Sequence, residues 1–355
     1  MPPPDHHDSL PSPPAPTTTR CFSSDKQCGG NGCASGLVGL VVLAIGGDDA
    51  TMVGDGGGVD KIKYSEFETR VPKYPVLKIK DIVKITTNPE GSAELQRNIA
   101  KQIEASSGII WNSFVQPEEP ILENLRQDFG VPVFTLGPLH MYHPGFTSNQ
   151  LLEEDRSFFS WLDVQKPKSV IYVSFGSFAK IRKSEFQEVA HGLANIGFPF
   201  LWVVRQGMVK DSEWLEWLPE KFLEKVADQG RIVKWCPQNE VLAHPAIGCF
   251  WTHSGWNSTI ESVCKGVPMI CSPCVVGQPI IARYVSDVWK IGVLLEDGLE
   301  RMGIERAIKR VMLDKEGEEM RKRISLLKEE VTISFDEGGS SHTSLKSLID
   351  HISSL

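Results

Sequence analysis

The chain has too little positive charge for a nucleic-acid partner. Its 355 residues carry 37 Lys and Arg against 45 Asp and Glu, a net charge of −8, whereas neutralising a phosphate backbone needs a basic face. It also has no long apolar run: Leu37 to Ile45 is well short of the ~20 residues that cross a bilayer. No basic stretch precedes that run as it would in a secretory leader. The eight Cys (21, 28, 33, 236, 249, 264, 271, 274) show no secreted-framework spacing, and several lie on apolar strands where a free thiol behaves as a small hydrophobe. A reduced, cytoplasmic setting is expected. Cys21, Cys28 and Cys33 with His6 or His7 fit no zinc pattern. Cys271 and Cys274 lie in a strand-exit loop rather than before a helix start, so they do not read as a redox dithiol. No G-x-G-x-x-G follows a strand, which disfavours a nicotinamide oxidoreductase.

What the chain has is segregated. Residues 1–62 are two biased tracts, seven Pro in the first sixteen positions and eleven Gly between Gly29 and Gly58. Such tracts bury too little apolar surface to offset chain entropy, so disorder is expected. From about Ile79 strands and helices alternate: a helix over Ala93 to Ala105, a strand over Gly108 to Asn112, a helix over Pro120 to Asp128 and a strand over Val131 to Leu136. Residues 63–137 therefore read as a partial Rossmann-like domain. Residues 138–150, with clustered Pro, Gly, His and Ser, read as a linker. Residues 151–355 repeat the alternation more strongly. Strands are predicted at Ser169 to Phe175, Phe200 to Arg205, Ile232 to Trp235, Ile247 to Thr252 and Pro268 to Cys271. Helices are predicted at Lys183 to Ile196, around Asn239 to Ala243, from Trp256, at Gln278 to Lys290 and at Gly303 to Leu313. This is an α/β, doubly wound pattern, and such sheets bind ligands beyond the carboxyl ends of their strands.

The densest chemistry lies between Trp235 and Gln278, WCPQNEVLAHPAIGCFWTHSGWNSTIESVCKGVPMICSPCVVGQ. An apolar strand breaks at His253, Ser254 and Gly255 into a helix from Trp256. The first N–H groups of a helix are unpaired and partly positive, so a phosphate is stabilised there. Asn257, Ser258 and Thr259 add side-chain donors at that end. By local context alone Trp235 is a core aromatic or a stacking platform, Glu261 a solvated charge or a ligand carboxylate, and His253 a satisfied half-buried imidazole or a phosphate contact.

This block resembles the donor-binding box of plant UDP-dependent glycosyltransferases, with W-x-P-Q, H-x-G-W-N-S, E and G-V-P-M in register. The resemblance implies a GT-B arrangement of two Rossmann-like domains, here with the first truncated and the second complete. It implies transfer of a sugar, glucose by the closest resemblance, from a UDP-sugar to a hydroxyl of a small hydrophobic acceptor such as a flavonoid or phenolic. Inversion is expected, with no metal and no cofactor beyond the donor. Carried over residue by residue, Trp235 stacks on uracil, the Cys236 backbone reads the base edge, and Glu261 bonds the ribose hydroxyls with Gln238 nearby. His253, Asn257, Ser258 and Ser177 go to the phosphates, the Trp256 backbone and Gln278 to the sugar.

Three departures stand out. The box normally closes with Asp-Gln, and here Gly277 replaces the Asp. The usual Cys before Gly-Trp-Asn-Ser is Ser254. The general-base His that the resemblance places near the start of the first domain, with its Asp, has no match in residues 1–60. Impaired catalysis by a UDP-binding pseudoenzyme is the alternative expectation, with His6, His7, His140 or His143 the remaining imidazoles for a base.

Overall fold

The computed structural model describes residues 68–71, 74–83, 98, 101–114, 118–119, 122–123, 126–127, 129–142, 153–209, 214–274, 277–296 and 298–355. The expectation of disorder over 1–62, the imidazoles of His6, His7 and His143, and most of the linker lie outside these residues.

The first region opens with β1 (Arg70–Val71) antiparallel to β2 (Tyr74–Lys78), which runs into the short helix α1 (Ile79–Val83). Strand β3 (Ile109–Trp111) pairs in parallel with β4 (Val133–Thr135). Residues 98, 101–104, 122–123 and 126–127 are helical, where the sequence predicts two helices.

After residue 153 the main sheet contains β5 (Val170–Ser174), β6 (Phe200–Val203), β7 (Gly230–Val233), β8 (Ile247–Thr252), β9 (Met269–Cys271) and β10 (Gly292–Leu294). All neighbours are parallel, in the order β10-β9-β8-β5-β6-β7. Numbered from β5 along the chain this is 3-2-1-4-5-6, the doubly wound Rossmann order, whose winding reverses between β5 and β8. Both of those strands are buried along their whole length, as expected of a parallel sheet covered on both faces. Alternate residues feed opposite layers. Tyr172, Leu201 and Phe250 belong to one cluster, while Val173, Trp202 and Trp251 belong to the other.

The covering helices follow simple local rules. Helix α2 (Lys183–Ile196) spans the predicted range. The Glu185 carboxylate accepts the Arg182 N–H at its start (2.8 Å), and Gly197 ends it at φ 75°, the left-handed geometry glycine takes without a Cβ clash. Helix α3 (Gln238–Ala243) and helix α4 (Trp256–Lys265) follow β7 and β8. Helix α4 stops where Val267 N–H donates to Ser262 and Gly266 N–H to Val263, the Schellman pairing.

The predicted helix over 278–290 divides into α5 (Gln278–Arg283) and a wider turn, Tyr284–Val288, closed by an i→i+5 bond from Trp289 N–H to the Tyr284 carbonyl. Helix α6 (Arg301–Met312) matches expectation to within two residues. Helices α7 (Lys315–Phe335) and α8 (Ser340–Ser353) were not anticipated. Helix α8 buries little of itself. It is held by contacts with the first region: Ser341 Oγ donates to the Gly137 carbonyl (3.0 Å), and the His351 ring lies 2.7 Å from the Ser107 carbonyl and against Phe134.

Candidate functional site

The site forms where the winding reverses, beyond the carboxyl ends of β5 and β8. Strand β5 exits through Phe175 and Gly176, the latter at φ 71°, to the exposed Ser177. Strand β8 exits into His253, Ser254 and Gly255, the last immediately before α4. The His253 ring fills the space between the two exits. A Cβ on Gly176 would lie 2.6 Å from its Cε1 and Nε2, and one on Gly255 would lie 2.5 Å from Nε2. A side chain at either position would have to displace the imidazole. Ser254 is fully buried and takes φ 62°, a conformation that costs a non-glycine residue about 1–3 kcal/mol. Burial pushes the His253 imidazole down to about 4, partly opposed by the Ser174 backbone, so at neutral pH the ring is uncharged. In that state the ring offers a neighbour an N–H donor rather than a positive charge.

Arg205, beyond β6, pins the other wall. Its Nε donates to the Gly176 carbonyl (3.3 Å) and a guanidinium nitrogen donates to the Ala179 carbonyl. The 176–179 turn is thereby tied to the sheet.

The nucleotide end of the predicted set converges directly. Gln238 Nε2 donates to Glu261 Oε2 (2.6 Å) and to Ser258 Oγ (2.9 Å), joining the start of α3 to the first turns of α4. Burial raises the Glu261 carboxyl above its ordinary value. The hydrogen bonds from Gln238 and Asn239 and the charge of Lys265 oppose that rise. Trp235 lies two residues past β7, half-buried, with its body against the core. Cys236 is buried, and its sulfur lies 3.4 Å from the Tyr172 hydroxyl. Burial pushes that thiol up to about 12, so Cys236 offers a ligand its backbone and not a thiolate.

The sugar end is arranged differently. The Trp256 indole is buried and donates to the Asn112 carbonyl (2.7 Å), and Asn257 Oδ1 accepts from Asn112 Nδ2 (3.3 Å). Asn112 Oδ1 in turn accepts the Leu139 N–H at 2.9 Å. One asparagine at the end of β3 therefore connects the first region, Leu139 and the start of α4. Gln278 is buried and accepts the Cys274 N–H (2.8 Å), which closes the loop between β9 and α5. Gly277 takes φ 85°.

Sequence reasoning missed three residues that shape this site. Tyr172 reads as core in an apolar strand. Arg205 is the polar end of a predicted strand. Asn112 is a polar residue at a strand's carboxyl end, the one signal that pointed toward its role. His140, an imidazole named for the base, is pushed down to about 4 by burial and then by Lys265, so as a proton acceptor it is no stronger than a carboxylate.

The chain was compared with known proteins. It is 50% identical over 299 residues to UDP-glycosyltransferase 76G1 of Stevia rebaudiana, covering 84% of this chain and 64% of that protein. It is 47% identical over 289 residues to flavonol 3-O-glucosyltransferase UGT76E12 of Arabidopsis thaliana, covering 81% and 63%. It thus spans just under two thirds of these relatives' length. Among solved structures it is similar to Phytolacca americana UGT2, complexed with UDP-2-fluoro-glucose and pterostilbene, with a TM-score of 0.72, 27% identity, and 89% of this chain and 69% of that one covered. It is also similar to a UDP-glucose: anthocyanidin 3-O-glucosyltransferase in complex with UDP, with a TM-score of 0.74, 25% identity, and 90% and 69% coverage. These neighbours share the GT-B architecture expected from the sequence. The model of the family described as UDP-glucoronosyl and UDP-glucosyl transferase matches residues 144–333, more than half of the chain. The chain belongs to that family.

Proposed function

We propose that the cleft at the β5/β8 switch point binds a UDP-sugar, and that the protein transfers the sugar, glucose, to a hydroxyl of a small hydrophobic acceptor of the flavonoid or phenolic kind. The observation that carries this reading is the meeting of Gln238, Ser258 and Glu261 at one end of the cleft with His253, wedged between two glycines, at the other. A carboxylate offers two acceptor oxygens to two vicinal ribose hydroxyls. The half-buried Trp235 offers a face to uracil. Between them, the first N–H groups of α4 and the neutral His253 receive the diphosphate. The reading routes no step through a metal or cofactor. Relatives named as flavonol and anthocyanidin glucosyltransferases, and a neighbour that holds pterostilbene, support the donor and acceptor classes. In the proposed reaction the acceptor oxygen attacks the anomeric carbon with inversion, the bond to UDP breaks as the glycosidic bond forms, and the hydroxyl proton passes to solvent. The spacing of the eight Cys, which follows no secreted framework, supports a cytoplasmic setting.

The experiment is transfer from UDP-glucose to a panel of flavonols and stilbenes, read by chromatography. Glucoside formed by the chain and reduced about tenfold or more in Trp235→Ala supports the reading. Folded chain that binds no UDP and forms no glucoside overturns it.

A further inference from the structure

Tyr172 is fully buried in the middle of β5, and its ring stacks on Phe250 of β8 at 4.9 Å between centroids and an interplanar angle of 18°. Such a ring usually needs nothing more than packing. Its hydroxyl, however, has polar partners inside the core: it donates to Gln238 Oε1 at 3.2 Å, with the Cys236 sulfur 3.4 Å away. The consequence concerns the Gln238 amide, which is free to rotate by a half-turn. With its oxygen held by the phenol, its nitrogen faces α4 and donates to both Glu261 and Ser258. The reversed amide would set a carbonyl oxygen 2.6 Å from the Glu261 carboxylate, a contact of two acceptors.

We infer that Tyr172 is a positioning residue for ribose recognition: its hydroxyl fixes the Gln238 amide, and the amide aims the Glu261 carboxylate at the ribose hydroxyls. The inference rests on the UDP reading given above and deepens it. Chains of hydrogen bonds in a buried setting orient and polarise one another, and the ring's stacking on Phe250 makes the phenol a fixed reference rather than a mobile one. Tyr172 itself touches no ligand.

The test compares UDP with 2′,3′-dideoxy-UDP, which keeps the base and diphosphate and lacks both ribose hydroxyls. Dissociation constants are measured by calorimetry on the full chain. The wild type should prefer UDP by about tenfold or more, since each ribose hydroxyl donates to a charged group. Tyr172→Phe removes one oxygen and keeps the ring. It should cut that preference about three- to tenfold while leaving affinity for the dideoxy nucleotide within twofold, and adding it to Gln238→Met should cause no further loss. Because Tyr172→Phe touches the core, Gln238→Met at its half-buried position serves as the second variant and should show the same reduction.

Either variant retaining the wild-type preference overturns the relay. So does a Tyr172→Phe loss that is equal for both nucleotides, which would be a packing defect. Failure of the underlying UDP reading looks different: the wild type itself would not distinguish the two nucleotides, or Glu261→Ala would leave the preference intact.

Discussion

Helices α4 and α5 begin in the same way and end up with opposite duties. Each follows a short buried strand through a glycine-containing turn, β8 through Gly255 and β9 through Gly277. At the start of α4 the polar side chains Asn257 and Ser258 remain accessible, and the preceding imidazole is held in place by glycine backbones. Every residue of α5 from Gln278 to Arg283 is buried. Its last residue, Arg283, pairs with Asp81 of α1 at 3.0 and 3.2 Å and with Glu296 at 2.7 Å, and Tyr284 joins Tyr74, Leu77 and Trp111 in a cluster shared with the first region. The start of α4 keeps accessible polar side chains beside its single tie to Asn112, whereas the far end of α5 serves as an attachment point for the first region.

The largest expected effect breaks the attachment. Arg283 and Asp81 are both nearly inaccessible, and removing one partner of a buried pair leaves an uncompensated charge, typically a loss of about 3–5 kcal/mol. Arg283→Met should lower the melting temperature and speed amide exchange across residues 68–83 before it affects β5 or β8. UDP affinity should stay within twofold, because the start of α4 is untouched. Unchanged exchange in 68–83 would show that the pair does not hold the first region.

A smaller effect comes from Glu118, buried in the same attachment with one oxygen accepting the Trp111 indole N–H at 3.1 Å. Burial pushes its carboxyl up to about 7, against the lowering influence of Ser113 and Trp111. A folded-state value above the unfolded one means that the folded protein holds the proton more tightly. The associated stability is fully present below about 4.5 and is lost as pH rises through about 7. Glu118→Gln should therefore be nearly neutral at pH 5 and stabilising by about 1–3 kcal/mol at pH 8. Equal melting shifts at the two pH values would contradict the sign.

The smallest effect sharpens the difference at the start of α5. Gly277→Asp restores the carboxylate that the resemblance expects for the sugar, but at φ 85° a side chain costs about 1 kcal/mol. The variant should melt slightly lower and bind UDP as before, while UDP-glucose gains about fivefold, on the order of 1 kcal/mol. A gain shared equally by UDP and UDP-glucose would remove position 277 from the sugar's surroundings.

These contrasts also mark what the sequence could reveal. Buried parallel strands are continuous apolar runs, so β5 and β8 were legible, as was α2 from its amphipathic period and terminal glycine. The meeting of Gln238, Ser258 and Glu261 could be anticipated because they fall at fixed separations within one block of chain. Arg283 and Asp81 are 202 residues apart, and the Trp256 indole finds the Asn112 carbonyl across 144 residues; no local period encodes either contact. Tyr172 was hidden for another reason: a tyrosine in an apolar strand looks like packing, and only the position of Gln238 shows that its hydroxyl has a partner.

The measurement closest to the central claim is a calorimetric titration of UDP into the full chain, wild type and Glu261→Ala, at one fixed pH. The account predicts a 1:1 complex in the wild type and an affinity at least about tenfold weaker in the variant, since a carboxylate accepting two hydroxyl hydrogens contributes roughly 1.5–3 kcal/mol per bond. Equal UDP affinity in the two folded proteins, or no binding by either, would contradict it.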